Sequence, residues 1–365
     1  MLYLYTAGAV QTELSVILSA FRLVRNMAFL CRGTEREKRD HPKAERAWCI
    51  HMKTVMSYCY YPEAALTAAE LDHLLHRLGL QGIEQLVYQT EPNQQSFAGQ
   101  TVGVHLKYWP YWMDFLLGRR ACWQEQFPRQ EDLDRYYGGH TVDGWENAMR
   151  SNIRAALKEQ PEYVVWHISN SSNREACSFH FAYTDREVLR EAAAVFNDTA
   201  DAIPSHVTVL FENLWWPGLR LLNPYDTAYF FSLIHRDHVG IMLDTGHLMN
   251  TDDTLRREED GAALVESVLR RMGSLSQLIR GIHLNCSLSA DYRKQCRKKE
   301  FLLSDMAELI HHIMNIDQHR PFHTQAAARI IAAVHPDYVV HELTGKNLPD
   351  TIKMIETQIK AGTLS

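Results

Sequence analysis

Residues 239–247 read VGIMLDTGH, and this stretch decides the fold. A run of apolar and β-branched residues, typical of a strand buried on both faces, ends in an aspartate and, three residues later, a histidine. Burying Asp244 and His247 beside such a strand is costly unless the two side chains pair or bind a metal ion. The stretch therefore predicts a strand of a parallel sheet whose carboxyl end carries polar chemistry.

Seven further runs of the same kind occur along the chain, and amphipathic stretches separate several of them. The eight predicted strands are 54–60, 82–88, 101–106, 163–168, 207–212, 239–244, 279–284 and 338–343. The clearest helical patterns cover 67–79, 143–160, 184–203 and 261–275. Thr184 and Glu187 form a candidate capping box at the start of one of them.

Eight strands that alternate with helices predict an α/β protein, a (β/α)8 TIM barrel. A doubly wound open sheet is the alternative, but it usually has fewer strands, and no G-x-G-x-x-G motif follows the first strand. Residues 89–100 show no helical pattern. Residues 107–140 form a long insertion rich in aromatic residues, and long insertions in compact folds often contribute to function.

The barrel is predicted to span residues 52–365 as one domain, because no repeat or linker-like tract divides it. Residues 1–51 form an N-terminal extension that includes the charge-rich run CRGTEREKRDHPKAERA at 31–47. Two interpretations of this extension stay open: a helical appendage, or a stretch that is not part of the native fold.

The composition of the 365 residues excludes a disordered or collagen-like chain, since 46% are hydrophobic and 22% charged. The net charge of −6 disfavours a protein that holds nucleic acid by electrostatics alone. Seven cysteines without a C-x-x-C pair indicate reduced thiols and a cytoplasmic protein. No apolar run reaches the roughly 18–20 residues that span a bilayer, so no membrane partner is expected.

Polar residues recur where the predicted strands end, and in a barrel all these ends face one mouth. Taken singly, each residue is more often structural, but the joint pattern indicates metal binding. The strand ends carry His105, His167, Glu212, Asp244, His283 and Glu342. His247 lies three residues after Asp244, and Asp317 and His319 lie in a loop before the eighth strand. Nitrogen and oxygen ligands without cysteine suit one to three divalent ions of Zn, Mn, Mg or Fe.

The motifs VLFEN, MLDTGH, IHLN and VVHEL, in this order, resemble the xylose isomerase-like TIM barrel superfamily. It includes sugar isomerases and epimerases and the endonuclease IV class of abasic-site nucleases, also called AP endonuclease family 2. The resemblance covers residues 52–345. Resemblance to the ketohexose epimerases implies one metal ion held by Glu212, Asp244, His283 and Glu342. The two glutamates would then act as acid and base, and His247 would contact substrate oxygens.

The endonuclease IV branch implies a larger ligand set, because three zinc ions are held there. The extra positions match His105, His167, His247, Asp317 and His319, so this sequence can fill the trinuclear set. Against the nuclease, the loop NLWWPGLRLL after Glu212 shows no DNA-wedging segment. Multi-iron enzymes that modify peptides share the barrel and its His/Asp/Glu mouth, so an oxidase is a third branch.

Substrate contacts are expected from loops at the mouth. Trp109, Trp215 and Trp216 can stack on a sugar or a base, or can form a hydrophobic plug or a subunit contact. Arg293 can bind a phosphate, or can belong to a solvated charge run. Asn213 and Asn285 can hydrogen-bond the metal ligands and so fix their orientation without contacting the metal ion.

The sequence thus favours a metal-dependent enzyme that isomerises or epimerises a sugar or sugar phosphate by proton transfer beside a metal-polarised carbonyl. The alternatives are an endonuclease IV-like zinc phosphodiesterase, a multi-iron oxidase and a non-catalytic metal- or sugar-binding barrel. The expected partner is a small molecule. Nucleic acid is less favoured, and a homo-oligomer stays open.

Overall fold

The strands of the protein form a closed, parallel barrel. The computed structural model describes residues 52–60, 66–297, 301 and 306–362. The N-terminal extension, residues 1–51, lies outside the described residues, and both interpretations of it stay open. In chain order the strands are β1 (Lys53–Cys59), β2 (Gly82–Val87), β3 (Thr101–Leu106), β4 (Tyr163–His167), β5 (Thr208–Glu212), β6 (Val239–Asp244), β7 (Ile279–Leu284) and β8 (Tyr338–His341). The predicted (β/α)8 barrel is confirmed, and each strand ends within two residues of its prediction.

Helices follow most of the strands. They are α1 (Ala68–Leu78), α2 (Met113–Leu116), α3 (Arg120–Gln126), α4 (Gln130–Tyr137), α5 (Val142–Ala156), α6 (Asn173–Ser178), α7 (Asp185–Thr199), α8 (Pro224–Leu233), α9 (Thr245–Met249), α10 (Glu258–Met272), α11 (Ala290–Cys296), α12 (Met306–Ile316), α13 (Ala326–Val334) and α14 (Leu348–Gly362). Within the part of the chain that the structure describes, no helix is long and apolar enough to cross a membrane.

The helix starts follow local capping chemistry. The predicted box of α7 is present, since the Thr184 hydroxyl accepts from the Glu187 amide at 3.3 Å and the Glu187 carboxylate accepts from the Thr184 amide at 2.8 Å. Helix α10 begins three residues before its predicted start. The Asp260 carboxylate accepts from the Arg257 amide at 2.9 Å, which supports an earlier first turn.

An apolar layer fills the barrel directly below the predicted ligands. It includes Val165, Leu210, Met242 and Val340, each of them fully buried and two residues before a predicted ligand. Because side chains two apart in a strand share a face, the strand ends must point their polar groups into the same interior. A larger apolar cluster packs between the strands and the outer helices.

The long aromatic insertion after β3 folds as α2, α3 and α4 and packs into the core. The rings of Phe115 and Tyr137 stack with centroids 3.8 Å apart, and Trp112 lies over Trp145 at 6.0 Å. Residues 89–100 contain no helix, as predicted. The insertion therefore covers one side of the barrel with packed aromatic side chains.

Candidate metal centre

Six strand ends bring polar side chains to one mouth of the barrel. These residues are His105 in β3, His167 in β4, Glu212 in β5, Asp244 in β6, His283 in β7 and Glu342 directly after β8. The parallel register places His167 beside Glu212 and Asp244 beside His283. All six side chains are buried or nearly so, with at most 13% of a side chain exposed.

The three remaining predicted ligands reach the same mouth from connecting segments. His247 lies in α9, and Asp317 and His319 follow α12. The loop that carries them is fixed to the end of β7, because the Cys286 and Arg320 backbones exchange hydrogen bonds of 2.8 and 3.2 Å. His319 has a φ of +44°, a left-handed backbone conformation that is uncommon for residues other than glycine and that often marks functional sites.

His105, His167 and Glu212 form the first ligand group. Glu212 Oε2 lies 3.1 Å from His105 Nε2 and 3.3 Å from His167 Nε2. The two imidazole Nε2 atoms are themselves 3.1 Å apart. Two nitrogens and a carboxylate oxygen thus face one point, which is the donor set of a divalent cation.

Glu212, Asp244, His283 and Glu342 form the second ligand group. His283 Nδ1 lies 3.0 Å from Glu342 Oε2, 3.3 Å from Glu212 Oε1 and 3.9 Å from Asp244 Oδ2. One ligand atom from each of the four residues falls within 4.8 Å of the others. Three carboxylates around one imidazole concentrate negative charge, which a bound cation would neutralise.

His247, Asp317 and His319 form the third ligand group. Asp317 Oδ2 lies 3.3 Å from His247 Nε2 and 3.4 Å from His319 Nδ1. Ligand atoms of Asp244, His247 and His319 also lie within 4.8 Å of one another. The third group therefore adjoins the second through Asp244, as the first adjoins it through Glu212.

Hydrogen bonds behind the ligands fix the orientation of two imidazoles. His105 Nδ1 donates to the Leu106 carbonyl and His247 Nδ1 to the Asn213 carbonyl, both at 2.9 Å. A carbonyl oxygen can only accept, so in the neutral ring Nε2 keeps the lone pair. In each case that lone pair faces a carboxylate of the cluster, an arrangement that suits metal ligation.

Several buried polar atoms of the cluster make no hydrogen bond of regular geometry, although polar atoms of the other ligands lie close to them. They are His167 Nδ1, Glu212 Oε1, His283 Nδ1, Asp317 Oδ1 and Glu342 Oε2. Burial lowers the pKa of His167 to about 3, so its imidazole is neutral and able to act as a ligand at neutral pH. Burial also raises the pKa of Asp244 to about 7, mainly because its charged form is desolvated. The residues present therefore fit a set of cations.

The LDTGH stretch is shaped to hold Asp244. Asp244 caps α9 by accepting from the His247 amide at 2.6 Å, and Asn285 donates to its other oxygen at 2.7 Å. Asn213 exchanges two hydrogen bonds with the Asp244 backbone. Gly246 allows this packing, because a Cβ there would overlap the Asn285 amide oxygen.

Glu84, in the middle of β2, is a part of the cluster that the sequence reading missed. Its carboxylate lies 2.9 Å from His283 Nε2 and accepts from the Tyr163 hydroxyl at 2.8 Å. Glu84 is fully buried. A glutamate inside the run GIEQLVY was the available signal, because a charged residue in a strand buried on both faces needs a partner.

A cavity of about 470 Å³ opens above the ligand groups. Its floor includes His105, His167, Glu212, His247, Asp317, His319 and Glu342. Trp215 and Trp216 form part of its wall, and the Trp215 ring lies 5.2 Å from the ring of His247. The structure therefore brings these two tryptophans to the site.

Trp109 and Arg293 lie elsewhere. Trp109 is buried among the aromatic residues of the insertion, and its indole nitrogen donates to the Tyr136 carbonyl at 2.8 Å. Arg293 is buried against the α9–α10 connection, where it pairs with Asp253 at 2.5 Å and donates to the Asp252 carbonyl. Neither side chain lines the cavity, so the structure does not place Trp109 or Arg293 at the candidate site.

Fold and site together define a (β/α)8-barrel protein whose mouth is built from imidazoles and carboxylates. A family model described as xylose isomerase-like TIM barrel matches residues 147–353, more than half of the chain. The chain belongs to this family.

Solved structures of several enzymes resemble the fold. Endonuclease IV from Thermus thermophilus is 13% identical, with a TM-score of 0.50, over 84% of this chain and 98% of that chain. D-psicose 3-epimerase is 11% identical, with a TM-score of 0.48, over 85% and 97%. Mannonate dehydratase from Streptococcus suis serotype 2 is 12% identical, with a TM-score of 0.45, over 86% and 93%. At these identities the likeness concerns the fold alone. A search of curated proteins found no match.

Proposed function

We propose that this protein is a metal-dependent phosphodiesterase whose centre holds three divalent ions. The proposal rests on one observation, the joining of three ligand groups through the carboxylates of Glu212 and Asp244. By the resemblance, a single-ion epimerase needs only the second ligand group. Such an enzyme would leave His105, His167, Asp317 and His319 without a role, whereas three ions employ all nine side chains.

The donor types narrow the choice of ion. Imidazole and carboxylate ligands without a thiolate suit Zn²⁺, Mn²⁺ or Fe²⁺. The nine side chains include four carboxylates, those of Glu212, Asp244, Asp317 and Glu342. Three divalent ions would exceed that negative charge and leave the floor of the cavity positive. A positive floor attracts a phosphate group.

The chemistry of such a centre is hydrolysis. When bound, divalent ions polarise a phosphoryl oxygen and make water a stronger nucleophile at neutral pH. Asp317 and Glu342 line the cavity, so their carboxylates can accept the proton that the attacking water loses. Water adds to phosphorus, the bond to the leaving oxygen breaks, and that oxygen takes up a proton. The products are a phosphomonoester and an alcohol.

Hydrolysis of bis(p-nitrophenyl) phosphate and incision of an abasic oligonucleotide test the proposal. We expect full-length protein loaded with Zn²⁺ or Mn²⁺ to hydrolyse at least the first compound, and chelation to abolish the activity. Glu212→Gln should lower the rate by at least about 100-fold, because it weakens two ligand groups. Glu159→Gln is the matched control, since Glu159 is a buried carboxylate that binds the Phe97 amide outside the site. Metal-loaded protein that hydrolyses no phosphoester would contradict the proposal.

Epimerisation of a sugar or sugar phosphate is the second candidate. The specific observation for it is the position of Glu212 and Glu342, which both approach His283 Nδ1 within 3.3 Å. Two carboxylates at one ligand group can act as acid and base across a substrate carbon. If this reaction occurs, metal-loaded protein will exchange the carbon-bound hydrogen of a ketose with solvent deuterium. No exchange over a panel of ketoses and sugar phosphates would remove this candidate.

A further inference from the structure

An exposed apolar patch lies at the cavity entrance. Tyr88, Ile310 and Met314, which we call the mouth patch, are 47%, 56% and 55% exposed. They are three of the five large hydrophobic side chains that are exposed in the described ranges. All three line the cavity above the ligand groups. Isolated surface hydrophobics are ordinary, but their concentration at one cavity marks a binding surface.

The orientation of α12 positions Ile310 and Met314, two of the three residues of this patch. His312, on the buried side of the helix, donates through Nε2 to the Ala176 carbonyl at 3.2 Å and accepts from the Tyr292 hydroxyl at 2.9 Å. Ile310 and Met314 are four residues apart and therefore share a face of the helix. Both side chains line the cavity, so this part of the patch is carried by a helix that is anchored to its neighbours.

Among the described residues, the wall of the cavity provides no lysine or arginine to neutralise a polyanion. The charged side chains that line the cavity in the described residues are the imidazoles and carboxylates, with no lysine or arginine among them. Binding of a nucleic-acid backbone depends on several lysine or arginine contacts to phosphates. The cavity instead combines a floor of imidazoles and carboxylates with an apolar entrance.

We propose that the substrate is a compact phosphate ester with an apolar group, aryl or alkyl, and not duplex DNA. The inference rests on the proposed phosphodiesterase function and deepens it. The phosphoryl group lies over the ligand groups at the floor. The apolar group packs against the mouth patch and against Ile313, which adjoins the Trp215 and Trp216 wall. Burying that group is favourable because it removes apolar surface from water on both partners.

A pair of substrates with the same leaving group tests the apolar site. These are p-nitrophenyl phenylphosphonate and p-nitrophenyl methylphosphonate, which differ only in the group that stays on phosphorus. We expect metal-loaded wild type to prefer the phenyl compound by about tenfold in kcat/KM, and I310S/M314S to reduce that ratio to about twofold. Tyr225→Ser is the control, since Tyr225 is a 78% exposed aromatic in α8, and it should keep the wild-type ratio. A wild type without the preference, or a double variant that retains it, would overturn the inference.

Binding of two non-hydrolysable probes separates this inference from the proposed function. Phenylphosphonate and methylphosphonate are titrated calorimetrically into metal-loaded protein, with no turnover required. Tighter binding of phenylphosphonate that is lost in I310S/M314S supports the apolar site even if no phosphoester is hydrolysed. Equal binding of both probes rejects the apolar site even if hydrolysis is observed.

Discussion

At the scale of single residues, Glu84 contacts a ligand of the proposed metal centre without belonging to a ligand group. Its contact with His283 Nε2 assigns the hydrogen of the neutral imidazole to that nitrogen. His283 Nδ1 then keeps its lone pair toward Glu212 and Glu342. A carboxylate behind a ligating imidazole fixes the ring and raises its basicity, so we interpret Glu84 as a positioning residue.

Replacing Glu84 with glutamine tests this role. Glu84→Gln should weaken metal binding by about 10- to 100-fold, because a neutral amide supports the imidazole less well than a carboxylate. Competition with a chelator of known affinity measures the change, and a thermal melt verifies the fold. Tyr163→Phe, which removes the other hydrogen bond to Glu84, should have a smaller effect. Unchanged metal affinity in Glu84→Gln would show that Glu84 only fills space.

Gly103 provides a second test at this scale. A Cβ on Gly103 would overlap the ring of Tyr163, the residue that donates to Glu84. Gly103→Ala should therefore destabilise the protein by about 1–3 kcal/mol, the usual cost of overpacking. Gly99→Ala is the matched control, because nothing lies within 4 Å of its added Cβ, and it should be nearly neutral. Chemical denaturation monitored by tryptophan fluorescence compares the two, and equal midpoints would contradict the close approach.

At the scale of elements, the strands and nine candidate ligands were predictable, but the contacts that fix distant segments against one another were not. A strand buried on both faces has a continuous run of apolar residues, so the sequence alone locates the strand and the polar residue at its end. The position of Asp317 and His319 depends on the Cys286–Arg320 bridge, which pairs residues 34 positions apart. The role of Glu84 depends on a residue 199 positions away. No local pattern encodes such contacts.

The capping box of α7 gives a prediction for an element. Thr184→Ala removes the hydroxyl that accepts from the Glu187 amide, and it should cost about 1 kcal/mol of stability. Thr184→Ser keeps an acceptor at the same position and should restore most of the loss. The shift of the denaturation midpoint measures both changes. If the serine variant is as unstable as the alanine variant, the methyl group and not the cap is responsible.

At the scale of the whole molecule, metal ions bound at the proposed centre would stabilise the folded barrel. The four carboxylates that converge at the mouth come from β5, β6, the end of β8 and the β7–β8 connection, so the cations they bind would join half of the barrel. A ligand that binds only the folded state stabilises it by mass action. We expect chelation to lower the thermal midpoint by several degrees and re-addition of Zn²⁺ or Mn²⁺ to restore it. A midpoint that does not respond to either treatment would contradict metal binding at this site.

The number of ions bound per chain distinguishes a three-ion centre from a single-ion centre. Elemental analysis of full-length protein, loaded with metal and freed of excess, counts and identifies them. The three ligand groups predict about three ions per chain, and loss of about one in Asp317→Asn/His319→Gln, which disables the third ligand group. Bound iron in the protein as purified would favour the multi-iron oxidase over the phosphodiesterase. One ion per chain in the wild type would contradict the three-ion centre and favour epimerisation.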